Sequence, residues 1–396
     1  MSDAERDRRS VGALDPHSAT FVADRDALFA RLRASVPVAH SSAYGGFWLA
    51  TRYADVRRVL LDPQTYSSAF PGRVAVPPTS SSRSALAPLE VDPPRHDAQT
   101  ALLAAWFGAT AVEPLAGDVD ALVGARLAAA GGRLEVVGGL AQPVTSAAVT
   151  RHLRLPASDA ERWVGWAERV FATRVAEPQL AEQAARELAA YVAGLLAERR
   201  ARPCDDPWTL LATGQVQGAP MPDEEAVGYG TMLLLAGRDA TVDALTNALV
   251  HLATRPADQA ALRADPAAVP RAVEELLRVY TPIGHLARVT TCPVRLGGAQ
   301  LDAGETVAVV YGSANRDDSV FPQADEVRLD RRRNAHLAFG AGVHRCLGAQ
   351  LARLVLTTTL RRVLADLPPF HLAAGEPLTA KPNGDTRGHL AVHLRW

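Results

Sequence analysis

Residues 339–348 read Phe-Gly-Ala-Gly-Val-His-Arg-Cys-Leu-Gly, and Ala-Gln-Leu-Ala-Arg follows at residues 349–353. Gly340 and Gly342 allow a tight bend before the helix-forming residues begin. Cys346 therefore lies at the opening of a predicted helix, where backbone N–H groups and the neighbouring histidine and arginine favour a thiolate. Because the thiolate is the form of cysteine that ligates metals, Cys346 is a candidate metal ligand.

Two other interpretations of this cysteine are open. Free cysteine is among the most buried residue types, so Cys346 on its own would suit an inert core thiol. A structural zinc site would need clustered ligands, but Cys204, Cys292 and Cys346 are far apart and form no C-x-x-C pair. The combined spacing of Phe, two Gly, His, Cys and Gly favours the ligand interpretation over both.

The run resembles the cysteine-loop signature of the cytochrome P450 family, as in its soluble bacterial members. The resemblance implies that Cys346 is the axial ligand of the iron of heme b (iron protoporphyrin IX) and that Phe339 packs near the sulfur. It also implies that His344 meets a heme propionate. We expect Gly340 and Gly342 to let the backbone pass close to the flat macrocycle, where a side chain on either would collide with it, and Gly348 completes the signature.

Further heme contacts are implied by position. Arg288, at the end of the segment 281–288, matches an arginine that pairs with a propionate, a contact that suits guanidinium geometry. His96 matches a propionate-binding histidine, although a helix-capping role is the alternative. The arginine expected four residues later is Thr100, so Arg95 is a candidate substitute. His336 is a further heme-proximal candidate.

A second motif, Leu-Leu-Leu-Ala-Gly-Arg-Asp-Ala-Thr, occupies residues 233–241. Its small residues Ala236, Gly237 and Ala240 share one helix face and would leave a groove for O2 and substrate. Close helix packing is the alternative, but a buried Asp239 carboxylate would then need a partner. In the family, an acid followed by an alcohol on this helix helps to deliver protons, and Asp239 matches the acid.

The alcohol is displaced in this chain. The family's usual threonine position is Ala240, and the hydroxyl arrives one residue later, at Thr241. Consecutive helical residues point about 100° apart, so Thr241 does not simply replace the missing group. We hypothesise that Ala240 marks either hydroxylation in which water or a substrate group completes the relay, or an oxidative C–C or C–N coupling.

A third motif, Glu-Glu-Leu-Leu-Arg at residues 274–278, places Glu275 and Arg278 on one helix face. A plain surface ion pair is the alternative, and such pairs contribute less than about 1 kcal/mol. The family's E-x-x-R helix precedes the cysteine loop in the same way and locks onto an arginine, for which Arg331 is the matching position. We therefore expect a structural network of Glu275, Arg278 and Arg331.

The remaining sequence indicates a mainly α protein with small β-sheets. Periodicity predicts a strand at residues 46–50, a helix at 53–61, one long helix at 222–254 and a strand at 307–310. No linker, repeat or charge block divides the chain, so we predict a single domain over residues 1–396. The resemblance, which becomes clear after residues 1–40, implies a triangular prism of helices with a β-rich lobe.

Composition excludes several classes of protein. A net charge of −1 over 396 residues gives no basic field for nucleic acid. The first residues are charged and contain no signal-peptide core, and no apolar run is long enough to cross a bilayer. Three cysteines suit a reducing compartment. We predict a cytoplasmic protein with neither a nucleic-acid nor a membrane partner.

The resemblance also locates a substrate pocket. It includes Ile283, Gly284, His285 and residues 382–387, together with the groove on the second motif. These segments carry few charges, which favours a mid-sized, largely apolar small molecule held by a few polar contacts. A secondary metabolite such as an aromatic compound or a cyclic dipeptide would fit.

Nothing in the chain resembles a fused flavin or iron–sulfur domain. We expect electrons from NAD(P)H to arrive through a separate ferredoxin and ferredoxin reductase. A basic docking face for an acidic ferredoxin would consist of Arg331, Arg332, Arg333, Arg345 and Arg353, with a solvated arginine surface as the alternative. The rival function is a non-catalytic heme sensor of gas or redox state, but Asp239 beside a groove favours a monooxygenase or oxidase.

Overall fold

The computed structural model describes residues 9–79 and 83–396; residues 1–8 of the predicted charged N-terminus, and residues 80–82, lie outside the described part. The fold is mainly α-helical with small sheets, as predicted. The helices are α1 (Ala19–Ser35), α2 (Tyr53–Leu61), α3 (Arg95–Leu103), α4 (Ala109–Val112), α5 (Leu115–Ala128), α6 (Gln142–His152), α7 (Ala160–Thr173), α8 (Pro178–Ala201), α9 (Pro207–Thr213), α10 (Asp223–Ala236), α11 (Asp239–Thr254), α12 (Pro256–Ala264), α13 (Val269–Tyr280), α14 (Tyr311–Ala314) and α15 (Ala349–Asp366).

The largest sheet contains five strands, in the order Val38–Ser41 (β1), Phe47–Ala50 (β2), Thr306–Val310 (β10), His285–Thr290 (β7) and Tyr66–Ser67 (β3). Strand β10 runs parallel to β2 and antiparallel to β7, so the early and late parts of the chain meet in this sheet. The strands are β1 (Val38–Ser41), β2 (Phe47–Ala50), β3 (Tyr66–Ser67), β4 (Arg133–Glu135), β5 (Gln215–Val216), β6 (Ala219–Pro220), β7 (His285–Thr290), β8 (Val294–Leu296), β9 (Ala299–Leu301), β10 (Thr306–Val310), β11 (His371–Leu372) and β12 (His393–Arg395). The strands predicted at 46–50 and 307–310 correspond to β2 and β10.

Sequence periodicity explains the helices that frame the site. In α2, Val56, Val59 and Leu60 recur at helical spacing and are buried. Helix α13 buries one apolar face and also carries two fully buried charged residues, Glu275 and Arg278. Helices α11, α13 and α15 pack against one another and share the main hydrophobic core. This packing holds the segments that carry the three motifs at fixed positions.

The long helix predicted for residues 222–254 is two helices. Helix α10 ends at Ala236 and α11 begins at Asp239, with Arg238 between them at φ −120° and ψ −62°. The Arg238 carbonyl accepts hydrogen bonds from the N–H groups of Thr241 and Val242 in the first turn of α11, at 3.0 and 3.1 Å. Hydropathy does not reveal this break because the residues on both sides of it are apolar.

In the described ranges 9–79 and 83–396, none of the helices combines the length and the hydropathy that spanning a membrane requires.

Candidate active site

The loop that precedes α15 folds back on itself. Cys346 N–H donates to the Phe339 carbonyl at 2.8 Å. Gly340 and Gly342 have φ values of +68° and +71°, in the left-handed region that glycine favours. The predicted tight bend is therefore present, and Cys346 lies just before Gly348, the N-cap residue of α15.

Gly342 is required at its position for a different reason from the predicted one. A Cβ on Gly342 would lie 2.3 Å from the Leu60 carbonyl oxygen, so the backbone of α2 occupies the space that a side chain would need. A Cβ on Gly340 would meet nothing nearer than the His344 carbonyl oxygen at 3.8 Å. Gly342 thus seats the loop on α2, while Gly340 is left with only its backbone conformation as a constraint.

The electrostatic surroundings of Cys346 act in two directions. Desolvation by the surrounding protein raises the pKa of the Cys346 thiol, whereas the Gly348 N–H and the charges of Arg353 and Arg345 act to lower it. The cysteine is nevertheless exposed, so its sulfur can meet a ligand. A metal at the sulfur would supply the positive charge that these groups alone do not.

The predicted network around Glu275 is present and buried. Glu275 and Arg278 have 0% exposure and are joined by two hydrogen bonds of 2.8 and 2.9 Å. Arg331 donates to both Glu275 oxygens at 3.0 Å, and Asn334 donates to one at 3.1 Å. Although burial alone would raise it, these bonds together with the Arg328 N–H hold the pKa of Glu275 below its ordinary value. The surface-pair alternative is therefore wrong for this pair.

A second network lies beside the first. Arg353 of α15 donates to Glu274 in bidentate fashion at 2.7 and 2.8 Å, and its guanidinium lies 4.5 Å from the centroid of the Phe339 ring. His336 also binds Glu274, at 3.1 Å, and its other ring nitrogen accepts from Ala338 N–H at 3.2 Å. Both nitrogens of His336 are thus engaged within the protein. This geometry does not support the heme contact predicted for His336 and gives it a loop-holding position instead.

Three predicted heme-binding residues from separate segments come together. The rings of His96 and His344 lie 4.4 Å apart, edge to face. His96 also contacts Asp97 at 2.9 Å and Thr100 at 3.4 Å. Burial, the positive charge of Arg288 and that of His96 lower the pKa of His344 to about 3. Helix α3, strand β7 and the cysteine loop therefore present their cationic or donor groups to one place.

The substitute proposed for the missing arginine lies elsewhere. Arg95 forms a bidentate contact with Glu225 at 2.7 to 3.0 Å, so its guanidinium is already paired. Thr100 keeps its hydroxyl beside His96. The geometry gives Arg95 a role in joining α3 to α10 and does not support the predicted compensation.

Comparison with known proteins identifies the family. Residues 180–368 match the family model described as Cytochrome P450. The chain is 36% identical over 391 residues to the cytochrome P450 monooxygenase PikC of Streptomyces venezuelae, covering 95% of this chain and 92% of that one. This chain belongs to the cytochrome P450 family. It is also 35% identical over 354 residues to nocardicin C N-oxygenase of Nocardia uniformis subsp. tsuyamanensis, covering 87% of this P450 and 88% of the relative.

Solved P450 structures share the fold. A mutant of P450 EryK in complex with erythromycin B aligns with a TM-score of 0.86 at 31% identity, over 94% of this chain and 97% of that chain. CYP109E1 from Bacillus megaterium in complex with testosterone aligns with a TM-score of 0.87 at 26% identity, over 95% of this chain and 98% of that chain. The predicted fold class is confirmed.

The donor set fits the heme that P450 proteins bind. Arg288 is 3% exposed, and in the described part of the chain it forms no salt bridge and donates only to the neighbouring Ala287 carbonyl, at 2.8 Å, although the charge of Asp92 acts on it from a distance. His344 Nε2 is buried and likewise finds no hydrogen-bond partner among the described residues. An unpaired buried guanidinium is costly, and a propionate carboxylate would complement it. Cys346 supplies the exposed sulfur that an iron would need.

The helix face predicted to carry a groove spans the break between α10 and α11 and is partly accessible. Ala236 is exposed and Asp239 and Ala240 keep partial exposure, although the residues around them are buried. The Asp239 carboxylate accepts from Arg238 at 2.8 Å. Thr241 is 8% exposed and points away from this accessible face, as the helical geometry predicts.

Arg238, which the sequence did not single out, anchors the break. Its guanidinium is buried and reaches Glu168 of α7 at 2.7 Å, Ser146 of α6 at 2.9 Å and Asp239 at 2.8 Å. The partner that a buried Asp239 would need is therefore its own neighbour. Three helices are joined at the residue that separates α10 from α11.

The structure divides the predicted pocket residues of β7. Successive side chains of a strand point to opposite faces, so Leu286 and Arg288 share one face and His285 lies on the other. Ile283 and Gly284 keep partial exposure, whereas His285 is 5% exposed and lies 3.9 Å from Asp385. The geometry therefore does not support His285 as a pocket-lining residue. Its side chain is buried beside Asp385.

The predicted basic docking face is smaller than expected. Arg331 and Arg353 are engaged with Glu275 and Glu274, so they hold the loop in place instead of facing solvent. The exposed members of the predicted set are Arg332, Arg333 and Arg345. A run of arginines in the sequence does not show which of them find buried carboxylates.

Proposed function

We propose that the chain is a heme-thiolate monooxygenase that oxidises a mid-sized, largely apolar secondary metabolite with O2. When bound, heme supplies O2 activation with electrons from outside the protein. Cys346 is the residue proposed to hold its iron. The single observation that carries the proposal is the exposed Cys346 in its glycine-bent loop, whose His344 lies within the electrostatic influence of a buried Arg288 that donates only to the Ala287 carbonyl in the described chain.

Arg288, His344 and His96 are proposed to hold the heme propionates. Two carboxylates placed between the Arg288 guanidinium and the two imidazoles would satisfy His344 Nε2, replace the long 3.4 Å contact of His96 Nε2 with Thr100 and compensate the buried charge. Because Arg95 is paired with Glu225 and Thr100 is uncharged, the propionates have fewer cationic partners here than the resemblance implies. We therefore expect Arg288 to contribute most to heme retention.

The test is spectroscopic. The reduced protein with carbon monoxide is expected to show the absorption band characteristic of thiolate ligation, and Cys346→Ser is expected to lose that band while retaining the helical circular-dichroism signal. Cys204→Ser is the matched control, since Cys204 is an exposed thiol in another region. A colourless protein in the presence of hemin, or a band indifferent to Cys346→Ser, would exclude the proposal.

The substrate class rests on the relatives and on the apolar groove. Relatives include proteins named mycinamicin IV hydroxylase/epoxidase and erythromycin C-12 hydroxylase. These names, with nocardicin C N-oxygenase, support an antibiotic-type small molecule and favour oxygen insertion over coupling. A titration that follows the iron spin state against macrolides, cyclic dipeptides and aromatic polyketides is the experiment that would identify the ligand.

Ala240 is proposed to shift part of proton delivery onto water or the substrate. Asp239 is present but is paired with Arg238 at 2.8 Å, and Ala240 offers no hydroxyl beside it. We expect Ala240→Thr to change the ratio of released peroxide to product with a substrate found by the titration, because a hydroxyl would then stand on the accessible face. Unchanged rate, product and peroxide would contradict this role.

Electron delivery by a ferredoxin and its NAD(P)H-dependent reductase is proposed from the exposed Arg332, Arg333 and Arg345. Such a face would attract an acidic carrier, and its attraction weakens as salt screens it. We expect Arg345→Gln to slow reduction and to reduce its salt dependence. Arg186→Gln on α8, whose side chain is 72% exposed, is the matched control; identical salt dependence in all three proteins would count against docking here.

A further inference from the structure

The only lysine of the chain, Lys381, pairs with a buried carboxylate that the motifs did not mark. Lys381 Nζ lies 2.7 Å from Oδ1 of Asp243, which belongs to α11 and is 1% exposed. Asp243 follows Asp239 by four residues, so it lies on the same side of α11 one turn further along, beyond the accessible residues.

Lys381 belongs to a hairpin of residues 379–390, here called the C-terminal hairpin. Lys381 N–H donates to the Gly388 carbonyl at 3.0 Å, and Leu390 N–H donates to Thr379 at 2.9 Å. A Cβ on Gly388 would lie 2.0 Å from Asp243 Oδ1, so only glycine lets the hairpin come this close to α11.

The next turn of α11 holds the same hairpin, and the tip of the hairpin meets the pocket segment. Asn247 donates to the Arg387 carbonyl at 2.8 Å. Arg387 N–H donates to Pro282 at 2.8 Å, and Gly284 N–H donates to Asp385 at 2.7 Å. The base of the hairpin is thus fixed on α11, while its tip forms part of the wall that includes residues 282–284.

We propose that Asp243 is a positioning residue which, through Lys381, fixes the C-terminal hairpin and so sets the shape of the substrate pocket. The proposal rests on the proposed function, since residues 382–387 line a pocket only in that case. Asp243 touches neither the groove nor the cysteine loop; it acts through the hairpin.

Energetics agree with a positioning role. Burial raises the pKa of Asp243 to about 6 despite the opposing charge of Lys381, so desolvation outweighs the attraction. A buried ion pair that does not stabilise the fold is a candidate for specifying one arrangement of the chain. Here that arrangement is the approach of the hairpin to α11.

The charged groups around the pair define its pH dependence. Asp239 on α11 raises the pKa of Asp243, while the Thr386 hydroxyl and Arg25 of α1 favour its ionised form. His389 faces Lys381 from within the hairpin. Because the folded pKa exceeds the ordinary value of 3.8, protonation below about pH 6 removes the ion pair yet relieves the cost of burying the charge. Hairpin attachment and global stability therefore respond to acid in opposite directions.

The first test uses the single lysine and needs no substrate. Lys381 is expected to react slowly with an amine-acylating reagent at pH 8, and about tenfold faster in Asp243→Asn, because its amine is then no longer held against a buried carboxylate. Peptide mass spectrometry measures the extent of acylation at this one residue. Asp120→Asn, which removes the same charge from a surface pair with Arg362, is the matched control. Equal rates in the three proteins would overturn the hairpin attachment.

The second test reads the pocket wall in the heme-loaded protein. Imidazole would bind the heme iron and report only access to it. The phenyl ring of 4-phenylimidazole must in addition fit against the pocket wall, so its affinity depends on the shape of that wall. Asp243→Asn and Lys381→Met are both expected to weaken 4-phenylimidazole binding about five- to tenfold, a difference near 1 kcal/mol, with imidazole affinity unchanged. Lys381→Arg is expected to restore it. Unaltered 4-phenylimidazole affinity in both variants would overturn the proposal.

The two tests separate the failure of this inference from failure of the proposed function. If imidazole produces no spectral change in the wild-type protein, the heme assignment fails, while the acylation experiment still reports on the hairpin. Asp243→Asn is also expected to have a thermal midpoint no lower than that of wild type at pH 8. A lower midpoint would show that the pair serves stability and would contradict a positioning role.

Discussion

The two sides of the site treat buried charge differently. On the cysteine side, formed by α13, α15 and the loop between them, Glu274 and Glu275 are each surrounded by donors that hold their pKa values below the ordinary range. On the groove side, formed by α10, α11 and the C-terminal hairpin, burial outweighs the attraction of Lys381 and raises the pKa of Asp243 to about 6. The first side stabilises one rigid arrangement; the second places a titratable group behind the pocket wall.

The largest effect is expected from Glu275→Gln. Removing this charge leaves Arg278 and Arg331 without their shared acidic partner, and Arg278 is 0% exposed. Losing one partner of a buried pair costs about 3–5 kcal/mol, which urea unfolding monitored by circular dichroism would measure. Asp330→Asn is the control, because Asp330 contacts Arg328 at 3.6 Å with a side chain that is 75% exposed. Equal losses in the two variants would remove the distinction between the cysteine side and an ordinary surface.

An intermediate effect is expected from the loop glycines. Gly342→Ala combines a left-handed backbone with a contact of 2.3 Å to Leu60, and overpacking adds roughly 1–3 kcal/mol to a conformational cost of about 1–2 kcal/mol. Gly340→Ala should show the conformational cost alone, and Gly348→Ala, at negative φ, less still. Thermal unfolding of the three variants measures the order. If Gly340→Ala were the most damaging, the contact with α2 would not be what seats the loop.

The smallest effect is the pH dependence, and it has opposite signs on the two sides. The pKa of Glu274 falls from 4.5 to about 2 because the bonds from Arg353 and His336 outweigh burial. Its contribution is therefore present above pH 4.5 and is lost as the pH falls toward 2, roughly 1–2 kcal/mol in all after allowance for partial exposure. Unfolding measured from pH 3 to pH 8 should lose this acid-dependent part in Glu274→Gln.

The groove side supplies the contrasting measurement. Asp243 has a raised pKa, so its ionisation lowers stability as the pH rises through about 6. The difference in unfolding free energy between wild type and Asp243→Asn should therefore shift in favour of the variant as the pH rises from about 4 to about 6, and stay constant above that. A difference that instead favours wild type at pH 8 would mean that both sides of the site are built in the same way.

Much of the cysteine side could be predicted because the residues that form it lie close together in the sequence. The loop around Cys346 and the pair Glu275 and Arg278 depend on residues a few positions apart, and the pairing with Arg331 follows from the family pattern. The contacts that were missed join distant segments, such as Gly342 with Leu60. Nothing local in either segment requires that approach.

The differences between expectation and structure have one physical origin. The sequence places Arg353 on a docking face and His285 in the pocket, because it shows which groups exist without showing which face they occupy. Strand alternation in β7 separates His285 from Arg288. For Arg353, only the position of α13 reveals that Glu274 is its partner. The break at Arg238 was hidden in the same way, since its partners come from α6 and α7.

Neighbouring residues Glu274 and Glu275 reach in two directions, one to Arg353 and one to Arg331. The stretch 331–353, with Cys346 inside it, is therefore closed at both ends on a single turn of α13, as a non-covalent ring. Anyone recombining segments between such enzymes would have to transfer residues 269–280 together with 331–353 from one parent. Exchanging either segment alone would put the contacts of Glu274 and Glu275 with Arg353 and Arg331 at risk, and these contacts fix the position of the Cys346 loop.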